Sequence, residues 1–253
     1  MNKILLLILF LLMIYIDKKR GVKLFISLFI NFFILITLFY FIALGVNPII
    51  VALLGCLLVS VVILYFVNGK NIKTEISLKS IIIVLICLAI LIFIMTNLSR
   101  IAGFGYESYE EINMFSYNVK INFTNIAISL ILISLIGATT DTSIAISSAL
   151  YEVYTNNKHL TQKELYKSGL NIGKDILCTT TNTLLFAFLS DFMTLVIWFY
   201  KGNYSFFDIV NAKVFAAELI KILFSAIGCV IIIPVTSYLM SKKLKGEKNE
   251  KSN

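Results

Sequence analysis

Charge is scarce in this sequence: Asp, Glu, Lys and Arg together make up 14% of its 253 residues, against about a quarter in soluble domains. So small a polar complement cannot cover a globular domain in water. Histidine is scarcer still. His159, the only one, stands in a polar stretch, which excludes a His-rich metal site and a Ser–His relay and leaves a solvated loop residue. Cys56, Cys87, Cys178 and Cys229 each sit alone in a different apolar run with no C-x-x-C spacing, so they read as packing residues and not as metal ligands. H-E-x-x-H and G-x-S-x-G are missing, and with them the usual metalloprotease and serine hydrolase chemistry. No metal and no cofactor is expected.

In place of charge the chain carries long apolar runs: 59% of it is hydrophobic and its mean hydropathy is +0.92. A helix needs about 20 apolar residues to cross the hydrocarbon layer. Lipid is therefore the expected solvent. No water is available there to satisfy backbone groups, so spans are helices or closed barrels, and these continuous Leu/Ile/Phe runs lack the alternation of barrel strands. The fold class is all-α, a polytopic transmembrane bundle. A net charge of +8 does not point to nucleic acid, because the basic residues border apolar spans and line no single polar domain.

Seven spans are expected, at 4–16, 24–43, 48–67, 81–96, 121–150, 176–199 and 220–240. The first is short and follows Lys3, as a secretory signal would, but no small-x-small cleavage site follows it; a retained helix is expected. With seven spans, the lysines and arginines at 18–23, 70–79, 158–174 and 242–251 share one side, and the poorer set at 3, 100, 120, 201, 213 and 221 shares the other. The richer side belongs in the cytoplasm, giving an N-out, C-in topology. The chain thus divides into apolar helices over 1–96, an outer loop over 97–120 with Glu107, Glu110 and Glu111, a core over 121–240, and a basic tail over 241–253 attracted to anionic lipid. Gly103, Phe104, Gly105 and Tyr106 read as a turn in the outer loop, either a lid or a plain interfacial segment.

Polar chemistry enters the second half of the chain. An ionisable residue inside a span costs a few kcal/mol unless protein or water shelters it. Gly137, Asp141, Ala145, Ser148 and Glu152 recur at helical spacing and fall on one stripe, small and acidic. Ser143, Ser147 and Ser148 offer hydroxyls to a partner helix or to their own carbonyls. Thr161-Gln162-Lys163-Glu164 fits a capping box and starts a helix. On it, Gly169 and Gly173 offer a close-contact face, while Asn171, Asp175, Thr179 and Asn182 form a second polar stripe. A third polar line runs through Glu218, Lys221, Ser225 and Gly228, with Glu218 and Lys221 spaced to pair. Pro234 removes a backbone donor from the last span. Asp191 reads either as interfacial or as a break between two half-helices.

Three blocks carry a resemblance: Gly137-Ala138 with Asp141 and the serine-rich helix to Glu152; Glu164-Leu165 through Gly169, Asn171, Gly173, Asp175, Thr179, Asn182, Thr183 and Leu184; and Ala217-Glu218 through Gly228 to Pro234-Val235-Thr236. In these the sequence resembles the YibE/F-like family of bacterial multi-pass membrane proteins, and its length makes it more similar to the YibF-type member. The first four spans match only in being apolar. The sequence departs from the family pattern at Cys178, where glycine is usual, at Thr180-Thr181, and at Leu189-Ser190-Asp191. The resemblance implies a bacterial cell membrane protein with a YibE-type companion or a homo-oligomer as partner, and it implies no reaction.

The residues support three functions. In the first, Asp141, Asp175 and Asn182 on successive helices line a cavity of a transporter or transport subunit, where Lys174 would lower a carboxyl pKa that burial raises; no inverted repeat is detectable to strengthen it. The second is a non-transporting scaffold whose polar stripes are intersubunit contacts. The third, an intramembrane aspartyl hydrolase built on Asp141 and Asp175, is the least favoured, and no enzymatic activity is expected.

Overall fold

A chain with no water around its spans must satisfy its backbone internally, and the computed structural model does so with helices alone. It describes residues 2–99, 101, 103 and 122–250, the side chains of 2, 191, 194 and 247–250 excepted, and no strand occurs among them. Most of the outer loop, including Glu107, Glu110 and Glu111, lies outside the described residues, as does the side chain of Asp191. The helices are α1 (Asn2–Ala43), α2 (Pro48–Val61, running on as a π-helical turn over Val62–Val67), α3 (Ile72–Ser99), α4 (Phe123–Asn156), α5 (Gln162–Lys201), the short α6 (Phe206–Asn211) and α7 (Lys213–Glu250). Six helices, all except α6, are long and apolar enough to cross a membrane.

The first of these six is not straight. Asp17 and Lys18 leave helical geometry, Lys18 with φ of 37°, and the chain doubles back. In a straight helix Phe10 and Phe25 would lie about 22 Å apart; here their ring centroids are 4.6 Å apart. Gly21 fits against the backbone of Met13, whose carbonyl oxygen lies 2.0 Å from where a Cβ would stand. The two limbs, 2–16 and 19–43, are thus antiparallel neighbours joined at the Asp17–Arg20 charge cluster.

Helix starts follow local side chains. Asn47 caps α2 by accepting from Ile49 N at 3.0 Å, with Pro48 in the first turn where its missing donor is harmless. The apolar run at 81–96 belongs to a longer helix that begins at Ile72. Its polar opening turns are held by Asn71 and Thr74, each accepting from the other's backbone N at 3.0 Å, and by the Lys79–Glu75 pair at 2.7 Å. The capping box at the head of α5 forms as its sequence requires: Thr161 N donates to Glu164 at 2.7 Å and Glu164 N donates to the Thr161 hydroxyl at 3.3 Å. α5 then continues through residue 191 as one helix, so the alternative of two half-helices is not what forms. α7 likewise continues through Pro234.

α4 is the central helix, packing on α7, α3, α2 and α5. The core has two lobes. Ala52, Cys56, Leu88, Leu132, Leu135 and Ile232 are buried in the larger; Ile76, Ile146, Leu150, Ile233, Met240 and Leu244 fill the smaller. One end of the bundle collects the basic segments. Arg20 donates to Asn68 at 2.6 Å, Lys73 lies 4.9 Å over the Tyr151 ring, and Lys245 donates to the Lys158 carbonyl at 3.2 Å. The turns at 17–20, 68–71 and 157–161 and the end of α7 therefore share one end.

Candidate functional site: polar faces and a polar cavity

A hydroxyl seam runs between α3, α4 and α7. The hydroxyls of Ser77 and Ser147 are 2.6 Å apart, those of Ser143 and Thr236 3.1 Å, and those of Ser134 and Ser225 2.9 Å. Thr142 reaches the Cys229 sulfur at 3.6 Å. All of these but Ser134 are buried. Between helices in lipid, where apolar surface gives no driving force, small residues and such bonds supply the cohesion. Thr140 Oγ1 and Ser237 Oγ are buried beside the seam without a partner among the described residues. The sequence pattern offered these hydroxyls but did not single out this face, because the stripe from Gly137 to Glu152 is equally small.

That acidic stripe points the other way. Gly137, Asp141 and Glu152 are exposed, and Ala145 and Ser148 are half-buried. A Cβ on Gly137 would meet nothing within 4 Å among the described residues, so none of their helices packs against this glycine. The other three glycines of the polar helices, Gly169, Gly173 and Gly228, are close contacts. On α5, a Gly169 Cβ would stand 2.5 Å from Ser237 Oγ, and a Gly173 Cβ 2.2 Å from Ile233 Cγ2. On α7, a Gly228 Cβ would stand 2.9 Å from Thr139 Cγ2.

Leu165, Gly169 and Gly173 bury one face of α5. Asn171, Asp175, Thr179 and Asn182 occupy the opposite face and are exposed, with Lys174 and Cys178 among them. Thr179 and Thr183 return their hydroxyls to the helix, to the carbonyls of Ile176 and Thr179 at 2.9 Å each. Asn171, Asp175 and Asn182 have no such partner among the described residues. Glu218 and Lys221 are half-buried and form an ion pair, away from the Asp141 and Asp175 level.

That level can be read from the contacts. Gly173 meets Ile233, and Thr142 meets Cys229. Asp175, two residues past Gly173 on an antiparallel helix, and Asp141, one before Thr142, therefore lie within about one helical turn of each other in depth.

Ser148 and Glu152 turn instead into a polar cavity of about 450 Å³ at the basic end, shared with Arg20, Asn68, Asn71 and Lys73. It draws on four elements: the reversal of α1, the loop after α2, the first turn of α3 and the last turns of α4. In the sequence Arg20 marks only sidedness. Nothing local in the sequence joins it to Glu152, 132 positions on; the folding back of α1 does. Among the described residues no cluster of His, Cys, Asp and Glu suits a metal.

Six long apolar helices, a core tied by hydroxyls and a glycine-lined helix contact define a multi-pass α-helical membrane protein. The model of the YibE/F-like protein family matches residues 5–246. The chain belongs to that family. No curated protein and no solved structure matches it.

Proposed function

We propose that this protein is a plasma membrane subunit of a larger assembly, crossing seven times with its N-terminus outside, whose polar α4–α5 face is covered by a second chain. The observation that carries this is the exposed row of Asn171, Asp175, Cys178 and Asn182 on a helix whose other face is already packed. Left against lipid, an aspartate near a helix centre costs about 3 kcal/mol. A covering chain removes that cost by supplying donors and excluding acyl tails. The covering chain is either another copy or the YibE-type companion that the family name suggests.

The seventh crossing is the first limb of α1, about 22 Å long at 1.5 Å per residue. It spans a layer of about 30 Å with local thinning and with Lys3 and Lys18 reaching to the two interfaces. The shared basic end then lies in the cytoplasm.

The test uses single-cysteine variants at 171, 175, 178 and 182 in native membranes. Photocrosslinking to a second chain through a benzophenone maleimide attached to the cysteine, which inserts into a C–H bond of whatever chain lies against it, is expected at two or more of these positions. A chain that stays uncrosslinked at all four, and that purifies alone in mild detergent at native expression, removes the proposal.

A second reading is transport along the covered face, supported by Asp141 and Asp175 sharing one depth. There a cation or proton would pass between two carboxylates held by neighbouring helices. Asp141→Asn should then abolish cation-coupled flux in proteoliposomes while crosslinking persists. Crosslinking that fails with the same substitution points to the scaffold role.

A further inference from the structure

Opposite charges usually close on one another when a cavity lets them. At the basic end of the bundle they do not. Glu152 lines the same cavity as Arg20 and Lys73, yet no ion pair joins it to either one, and Glu152 has no other charged partner among the described residues. The two cations are held by other groups. Arg20 donates through Nη2 to Asn68 Oδ1 at 2.6 Å and lies 3.5 Å through Nη1 from Asp17, while Lys73 rests on the Tyr151 ring at 4.9 Å. Each cation keeps unused donors, since a guanidinium carries five N–H groups and an ammonium three.

The first turn of α3 adds to the positive side, because Lys73 sits in it at the positive end of the helix dipole. The floor is polar as well: Ser148, Asn71 and Asn68 all line the cavity. A space of about 450 Å³ falls within the range of small-ligand sites. Its lining carries both signs, two cations and one carboxylate that are not paired with one another. A simple anion would satisfy the first and be repelled by the second. A simple amine would do the reverse. A ligand with both charges satisfies all of them.

We propose that this cavity binds a phosphoamine, with the phosphate taken by Arg20 and Lys73 and the amino group by Glu152. Arginine's planar fork favours phosphate geometry. The cavity's place among the basic turns puts it at the level of lipid headgroups. The same chemistry is offered by an aminophospholipid headgroup and by free phosphoethanolamine. The inference is independent of the assembly proposed above, because every residue it uses lies within one chain.

The test uses the full-length protein in nanodiscs of phosphatidylcholine and phosphatidylglycerol, with binding read by calorimetry and by the shift in thermal unfolding. Phosphoethanolamine should bind saturably, and roughly tenfold more tightly than inorganic phosphate or ethanolamine alone. Glu152→Gln has no charged partner to lose among the described residues and should remove the preference for phosphoethanolamine over phosphate, with phosphate itself binding at least as tightly once the repelling carboxylate is gone. Arg20→Gln should abolish both, and its unliganded melting curve reports whether the α1 reversal has survived. Repeating the titration in nanodiscs containing phosphatidylethanolamine separates the sources: competition identifies the lipid headgroup, and undiminished binding identifies the free compound. Equal affinity for phosphate and phosphoethanolamine, an unaltered titration in Glu152→Gln, or no saturable binding of any probe would overturn the proposal.

Discussion

The Ser77 and Ser147 hydroxyls lie 2.6 Å apart, both fully buried, at the point where α3 crosses α4. Ser147 also bonds back to the Ser143 carbonyl at 2.9 Å, and Ser143 passes the contact on to Thr236 of α7 at 3.1 Å. Three helices are thereby joined by a short relay of hydroxyls. Such bonds between membrane helices contribute modestly, because the separated helices find other partners. A double-mutant cycle on Ser77→Ala and Ser147→Ala, followed by unfolding in mixed micelles, should give a coupling of about 0.6 kcal/mol. Strict additivity of the two substitutions would show that the contact stabilises nothing.

Local signals were legible in the sequence where one residue type does one job. Thr161 and Glu164 announce their capping box because both side chains and both amides lie within one turn. Glu218 and Lys221 announce their pair for the same reason. The orientation of α4 was not legible. Thr139, Thr142, Ser143 and Ser147 on one face and Gly137, Asp141, Ser148 and Glu152 on the other are alike in size and polarity, so periodicity marks the second stripe without telling which face packs the core. In water the apolar face would have marked the core; in lipid both sides of a helix are apolar or small. The polar cavity was also hidden, since Arg20 and Glu152 meet only through the reversal at Lys18.

The capping box of α6 gives a prediction in pH. Ser205 donates to Asp208 Oδ2 from its hydroxyl at 2.6 Å and from its backbone N at 3.0 Å, and these bonds hold the Asp208 carboxyl below its ordinary value. A carboxyl depressed in the folded state adds stability that is complete above its unfolded pKa, about 3.9, and that is lost as the pH falls through the depressed folded value. The α6 turn should therefore stay formed at neutral pH and loosen only in acid. The carboxyl NMR titration of Asp208 should have its midpoint below about 3.9, and Ser205→Ala should return it to the ordinary range. A midpoint indifferent to Ser205→Ala would contradict the cause given.

The reversal in α1 predicts a pattern of accessibility. Lys18 belongs to the same end as Lys70 and Lys158, because Arg20 bonds Asn68 and Lys73 covers Tyr151. Cysteine placed at 18, 70 or 158 should react with an impermeant maleimide only from the cytoplasmic side, and cysteine at 44 only from the outside. Cysteine at position 3 should label only from the outside; labelling of it from the cytoplasmic side would straighten the first helix and reduce the crossings to six. The left-handed backbone of Lys18 adds a second readout. Glycine tolerates a positive φ that other residues reach with strain, so Lys18→Gly should leave the labelling pattern intact and raise stability by up to about 1 kcal/mol.

The two ends of the glycine spectrum here make opposite predictions. Gly173 has Ile233 Cγ2 2.2 Å from the position of a Cβ, whereas Gly137 has open space. A methyl at 173 must displace a β-branched side chain with a single preferred rotamer in a helix, so Gly173→Ala should separate α5 from α7 and destabilise the protein by about 1–3 kcal/mol. Trimming the obstacle with Ile233→Ala in the same chain should recover part of that loss, and recovery greater than additivity identifies the contact as the cause. Gly137→Ala meets no neighbour among the described residues, and alanine is the better helix former by up to about 1 kcal/mol, so the isolated subunit should be unharmed. If a second chain packs on that face, the same harmless substitution should weaken crosslinking along α5 in native membranes. A Gly137→Ala protein that is stable alone and still crosslinks fully would place the covering chain against α5 only, away from Asp141.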